Sequence, residues 1–136
     1  MIVDASVAFK WLVKEADSDL AIAWVASGEP LVAPLLILSE TGHALSKRVR
    51  RGELAAAGAD ETFSRLPALI TLIDDAPFMG RAFELSVALR HAFYDCVYLA
   101  AAEALGDRLL TADEVFAGKL ADHPLGGLVT VLGRDA

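Results

Sequence analysis

The sequence has almost nothing with which to build a covalent or thiolate scaffold: one cysteine, Cys96, in 136 residues. A lone thiol excludes a disulfide framework and every paired-cysteine zinc site, and it fits a reducing compartment. The three histidines, His43, His91 and His123, stand far apart without metal-ligand spacing and read as surface or packing residues. Long apolar runs are also missing. The longest, Leu31 to Leu38, is eight residues with Pro34 inside it, against the roughly 20 that a membrane-spanning helix needs. Met1-Ile2-Val3-Asp4 places a carboxylate where a signal peptide carries positive charge, so the expectation is a cytoplasmic protein with no membrane association. Excess positive charge is absent: 12 Lys and Arg face 19 Asp and Glu, a net charge of −7. That excludes general, non-specific affinity for nucleic acid but leaves room for a local cationic strip. No GxGxxG, Walker A, GxSxG or HExxH pattern occurs, which removes the common dinucleotide, nucleotide-triphosphatase, serine-hydrolase and zincin readings.

What is present is a composition that is 55% hydrophobic and 23% charged, which buries a core rather than staying disordered. A chain of this length buries about two-thirds of its unfolded surface, enough for one domain spanning residues 1–136. Ile2-Val3 reads as a strand, followed by a helix that Ser6 caps. Asp17, Ser18 and Asp19 open a second helix that Gly28 and Pro30 close. Leu31 to Ala33 is a strand, and Pro34 suits the first turn of a long helix reaching Arg51. Residues 53–70 are helical but interrupted by Gly58 and Pro67, which predicts one or two short helices. Strands at 71–73, 108–111 and 128–131 alternate with helices at 79–89, 94–105 and 113–120. The 25 alanines suit close-packed helices. The pattern is that of an α/β domain, a mostly parallel sheet flanked by helices on both faces.

Four carboxylates interrupt apolar or small-residue contexts: Asp4, Glu40, Asp95 and Asp113. Asp4 and Asp113 follow the C-terminal ends of predicted strands, beyond which ligands of open α/β sheets bind. Each also has a plain structural reading. Asp95 suits a helix cap or first turn, Thr111-Ala-Asp-Glu114 fits a capping box with Asp113 as a first-turn acid, and Asp4 suits a turn with Ser6. Glu40, inside a helix between Leu38 and Leu45, gains nothing from a cap. A pair of carboxylates about 4 Å apart repels by about 4 kcal/mol at an effective dielectric near 20, so a cluster of four wants a cation. Hard oxygen donors favour Mg²⁺ or Mn²⁺. Lys47, Arg48, Arg50 and Arg51 crowd the end of the same helix, and on the helical wheel Lys47 and Arg51 share a face with Glu40. These four read either as cations complementing the helix dipole or as a local track for phosphates leading towards the carboxylates.

Ile-Val-Asp4-Ala-Ser6, the Glu40 helix ending Lys-Arg-Val-Arg-Arg-Gly, Tyr94-Asp95-Cys-Val-Tyr98-Leu99-Ala100, and Leu-Leu-Thr111-Ala-Asp113 resemble, in order and at intervals of 36, 55 and 18 residues, the PIN-domain family. The chain is most similar to VapC-like toxins of toxin–antitoxin pairs. The resemblance implies a PIN-like fold and an Mg²⁺- or Mn²⁺-dependent endoribonuclease, with Asp4, Glu40, Asp95 and Asp113 as the catalytic and metal-holding quartet and Ser6 and Thr111 as supporting hydroxyls. It further implies an RNA substrate, a cognate antitoxin and a homodimer. Some members carry another acidic residue three positions after the last Asp, where this chain has Phe116. The competing reading is a catalytically silent PIN-like module that binds RNA or protein. A receiver or haloacid-dehalogenase-type phosphatase would need paired acids after the first strand, where Asp4 is followed instead by Ala5 and Ser6.

Overall fold

The computed structural model describes residues 1–136. Five short strands, β1 (Ile2–Val3), β2 (Val32–Pro34), β3 (Thr71–Ile73), β4 (Leu109–Thr111) and β5 (Val129–Val131), form one sheet in the order β3-β2-β1-β4-β5 with every pair parallel. Seven helices connect them: α1 (Ala5–Leu12), α2 (Ser18–Ala26), α3 (Leu36–Arg50), α4 (Ala56–Leu69), α5 (Met79–Leu89), α6 (Phe93–Leu105) and α7 (Glu114–Lys119). Neighbours on a strand point to opposite faces, yet Ile2, Val3, Leu109 and Leu110 are all buried. Both faces of the sheet are therefore covered, as the continuous apolar runs predict. Helices α1 to α4 pack on one another, and α5 packs on α6, which lies against β1, β2 and β4.

Helix α6 is the centre of the core. Every residue from Cys96 to Ala102 is buried, and a helix buried on all sides needs small residues where other elements approach, here Ala100 to Ala102. Gly106, at φ +62°, closes it in the left-handed conformation. In α3, Gly42 faces Phe63 of α4, whose ring lies 3.1 Å from where a β-carbon would stand.

Three local expectations change. Pro34 ends β2 instead of opening α3, which begins at Leu36. Val32 donates to the Met1 carbonyl, so two residues on the missing proline amide is the one that would face β1, just as β1 turns away into α1. Residues 56–69 form a single helix. Gly58 lies in its first turn, where amides have no helical partner, and Pro67 removes one bond only two residues before the end. The cap of α1 is Asp4 rather than Ser6, since the Asp4 carboxylate accepts from the Val7 amide at 3.3 Å.

Candidate active site

The chain runs from β1 through β2 to β3 on one side and then crosses back to lay β4 on the other side of β1. Strand order therefore reverses between β1 and β4, and the crevice beyond their C-terminal ends is the place where such sheets take ligands. Asp4 is the first residue after β1, and Asp113 the second after β4.

Asp4 is buried, 7% exposed. Besides the Val7 amide, it accepts from the Ser6 hydroxyl at 2.5 Å and from the Thr111 hydroxyl. Ser6 Oγ also accepts from the Ala112 amide at 2.9 Å, and Thr111 Oγ1 from the Asp113 amide at 3.0 Å. The two hydroxyls thus fix the Asp4 carboxylate and stitch α1 to the loop after β4. Burial pushes the Asp4 carboxyl from 3.8 up to about 6, against the pull of these donors, and the Asp95 charge adds to it.

Glu40, in the second turn of α3, receives the Tyr98 hydroxyl on Oε1 at 2.8 Å. Tyr98 is fully buried in α6, so this bond across 58 residues satisfies a phenol that burial would otherwise leave unpaired. Burial first, then the charges of Asp95 and Asp4, push the Glu40 carboxyl from 4.5 up to about 7. Asp95 lies in the first turn of α6, and its Oδ2 is 2.5 Å from His91 Nε2. Burial raises its carboxyl above the ordinary range despite His91, and the Asp113 charge contributes.

Asp113 caps α7 by accepting from the Phe116 amide at 2.9 Å, so Thr111 and Glu114 are not its capping box. Ligand atoms of His91, Asp95 and Asp113 all lie within 4.8 Å of one another. The structure therefore groups two of the four carboxylates with a histidine, while Asp4 and Glu40 stand near enough for the Asp95 charge to reach them. Four like charges held together by the fold, two of them beside an imidazole nitrogen, make a donor set that fits a divalent cation.

Sequence reasoning assigned His91 to packing and missed its place here. Its ring does pack edge-on against Phe116, 4.5 Å between centroids, but Nε2 faces the acids. The spacing His91 to Asp95 is that of one helical turn, yet α6 begins only at Phe93, so periodicity gave no signal. Cys96 is the packing residue it was expected to be: it is buried, and desolvation pushes its thiol up to about 11, far from a reactive thiolate.

The cationic strip divides. Arg48 is bound to Glu15 at 3.5 Å and to Glu53 at 3.3 Å, and its guanidinium lies 5.3 Å from the centre of the Phe9 ring. It ties α3 to α1, which removes it from the expected phosphate track. Lys47, Arg50 and Arg51 are exposed and make no ion pair. A groove of about 440 Å³ beside the carboxylates carries Ser6, Lys10, Glu40 and His43 on its walls. No helix is long and apolar enough to cross a membrane.

The family model of the PIN domain matches residues 1–119. The chain is 33% identical to ribonuclease VapC1 of Mycobacterium tuberculosis over 114 residues, 82% of this chain and 84% of that one. It is 30% identical to ribonuclease VapC3 of Pyrobaculum aerophilum over 122 residues, 88% and 93% of the two chains. Among solved structures it is similar to the protein PAE2754 of Pyrobaculum aerophilum, with a TM-score of 0.71, 28% identity and coverage of 87% and 77%. A toxin–antitoxin complex from Klebsiella pneumoniae shares the fold, with a TM-score of 0.65, 14% identity and coverage of 96% and 95%. A sheet that brings the acids of four separate segments to its switch point, a family match over most of its length and two relatives of one kind lead to the same conclusion: the chain belongs to the PIN domain family.

Proposed function

We propose that the chain is a divalent-metal-dependent endoribonuclease and the toxin of a toxin–antitoxin pair. The observation that carries the reading is the approach of Asp4, Glu40, Asp95 and Asp113 at the switch point, where the Asp95 charge raises the carboxyls of Asp4 and Glu40, Asp4 also raises Glu40, and Asp113 raises Asp95. The two relatives named ribonucleases point to RNA as the substrate, which would place the action in the cytoplasm. Asp95 and Asp113 would hold the ion, with Asp4 and Glu40 beside them. Mg²⁺ or Mn²⁺ bound there supplies Lewis acidity to the phosphodiester oxygens and lowers the pKa of a coordinated water.

The chain's own residues have distinct tasks in this reading. Ser6 and Thr111 fix the rotamer of Asp4. Tyr98 holds Oε1 of Glu40, leaving Oε2 without a hydrogen bond inside the protein. In the metal-free protein burial and the neighbouring acids push this carboxyl up from its ordinary value, and its open oxygen suits accepting a proton from an attacking water. RNA cleavage by the wild type is expected with Mg²⁺ or Mn²⁺ and abolished by excess chelator. Undiminished cleavage in chelator would reject the reading.

Lys47, Arg50 and Arg51 are the cations free to follow RNA phosphates. Each phosphate contact on a single strand contributes about 0.7 to the slope of log K against log salt. Lys47→Ala with Arg51→Ala should thus lower that slope by about 1.4, measured by RNA binding at several salt concentrations with the Asp95→Asn protein to prevent cleavage. Arg48→Ala should leave the slope unchanged and lower stability instead, because its partners are Glu15, Glu53 and Phe9. An unchanged slope in the double variant would return Lys47 and Arg51 to the role of helix-end cations.

Two apolar surfaces support the expected protein partners. The groove between α3 and α4, about 360 Å³ and lined by Leu45, Val49, Ala59 and Phe63, suits the apolar anchors of an antitoxin helix. Met79, Phe83 and Val87 form an exposed stripe on α5, 36%, 66% and 65% accessible, a face that a second copy of the chain would cover in a homodimer.

A further inference from the structure

We propose that His91 is a nitrogen ligand of the divalent ion, so that the centre is a His–Asp–Asp site which favours transition-metal ions over Mg²⁺. The inference rests on the metal-dependent reading above and deepens it. His91 Nε2 and Asp95 Oδ2 face each other 2.5 Å apart. Two ligands of a single ion stand about 3 Å apart, so a cation received between these two atoms needs a shift of only about half an ångström. The third atom, a carboxylate oxygen of Asp113, lies within 4.8 Å of both. Atoms bound at about 2.0–2.2 Å to one ion are at most about 4.4 Å apart, which is within reach of a small side-chain rotation.

The backbone around His91 is built to hold this position. Arg90 ends α5 in the left-handed conformation, φ +51°, a cost for a residue with a β-carbon that the surroundings must offset. Three contacts do so: the His91 amide donates to the Ser86 carbonyl at 3.2 Å, the Ser86 hydroxyl donates to the His91 carbonyl at 2.6 Å, and Lys119 Nζ donates to the Arg90 carbonyl at 2.8 Å. The ring itself is 11% exposed and wedged on Phe116, so Nε2 has one direction available, towards the acids. Imidazole nitrogen suits iron, nickel, copper and zinc best; Mn²⁺, the weakest of the first-row series and at home among oxygen donors, still accepts one nitrogen more readily than Mg²⁺, which keeps oxygen ligands and water.

Pulsed EPR of the Mn²⁺-loaded wild-type protein tests this without reference to cleavage. The expected result is a ¹⁴N coupling from one directly bound imidazole, which persists in His43→Gln and disappears in His91→Gln. Titrations should show His91→Gln weakening Mn²⁺ binding by at least about tenfold, while Mg²⁺ binding, read by competition, changes less than about threefold. Mn²⁺ bound with oxygen ligands alone, or an equal loss for both ions in His91→Gln, would overturn the ligation by His91 and leave the metal-dependent reading standing. Failure of the wild type to bind Mn²⁺ at all would overturn both.

Discussion

Asp95→Asn should lower RNA cleavage at saturating Mn²⁺ by at least about a thousandfold, with the fold unchanged. That factor is about 4 kcal/mol of transition-state stabilisation, the scale of removing one charged ligand from a metal-assisted phosphodiester hydrolysis. Asp95 is where the site's interactions meet: it touches His91, feels the charge of Asp113, and raises the carboxyls of Asp4 and Glu40. Asparagine keeps the shape and still bonds His91, but it carries no charge for a cation. Glu40→Gln is the informative companion, since its amide oxygen still accepts from Tyr98 while losing the basic carboxylate. Its expected loss is about 10²–10⁴-fold, the usual contribution of a general base. Initial rates together with circular-dichroism melts check both. Near-wild-type cleavage by Asp95→Asn would remove the quartet from the chemistry.

The metal-free protein should lose stability as pH rises from about 4 to about 7, the opposite of the usual carboxylate behaviour. In the unfolded chain Asp4 releases its proton near 3.8 and Glu40 near 4.5; in the folded chain each keeps it to about 6 and about 7. Between those values the native state binds more protons, so stability is full below the unfolded values and falls as pH climbs through the folded ones. For Asp4 the difference corresponds to about 3 kcal/mol, and Glu40 adds less than its separate share because part of its shift comes from the Asp4 charge. A fall on the order of 10 °C in the melting temperature follows for a domain of this size. Mn²⁺ at a hundred times its Kd should restore about 2.7 kcal/mol at pH 7.5. Asp4→Asn should flatten the pH profile and match or exceed the wild type at pH 7.5, since asparagine still caps α1. Metal-free melts that rise from pH 4.5 to 7.5, or an Asp4→Asn protein much weaker at pH 7.5, would assign these carboxylates a purely structural task.

Much of the fold was legible because its signals are local. Ile2-Val3, Thr71 to Ile73 and Leu109 to Thr111 are apolar runs too short for helices, each with an Asp within two residues of its end, and each is a strand. The helix stops at Gly28, Gly52 and Gly106 follow from backbone conformations that glycine adopts freely. Local signals failed where a neighbour decides. Pro34 reads as a helix start, yet it ends β2, because β1 leaves no partner for an amide there. Ser6 and Asp4 are both good caps, and Ser6 yielded because its hydroxyl is drawn to Asp4 and the Ala112 amide.

The site divides in the same way. The sequence by itself determined which carboxylates are out of place, that they prefer hard cations, and that two of them follow parallel strands; these are matters of residue type and period, carried within a few positions of the chain. Only the tertiary structure decided their company. Tyr98 reaches Glu40 across 58 residues and Thr111 reaches Asp4 across 107, His91 is turned into the cluster by a left-handed Arg90, and Arg48 is withdrawn from the cationic strip by Glu15 and Phe9. Contacts of that kind depend on how the sheet and its helix layers pack, and packing is settled by the whole core at once. A carboxylate's place in the chain therefore says where it stands, while burial and neighbours fix its proton affinity and its partners.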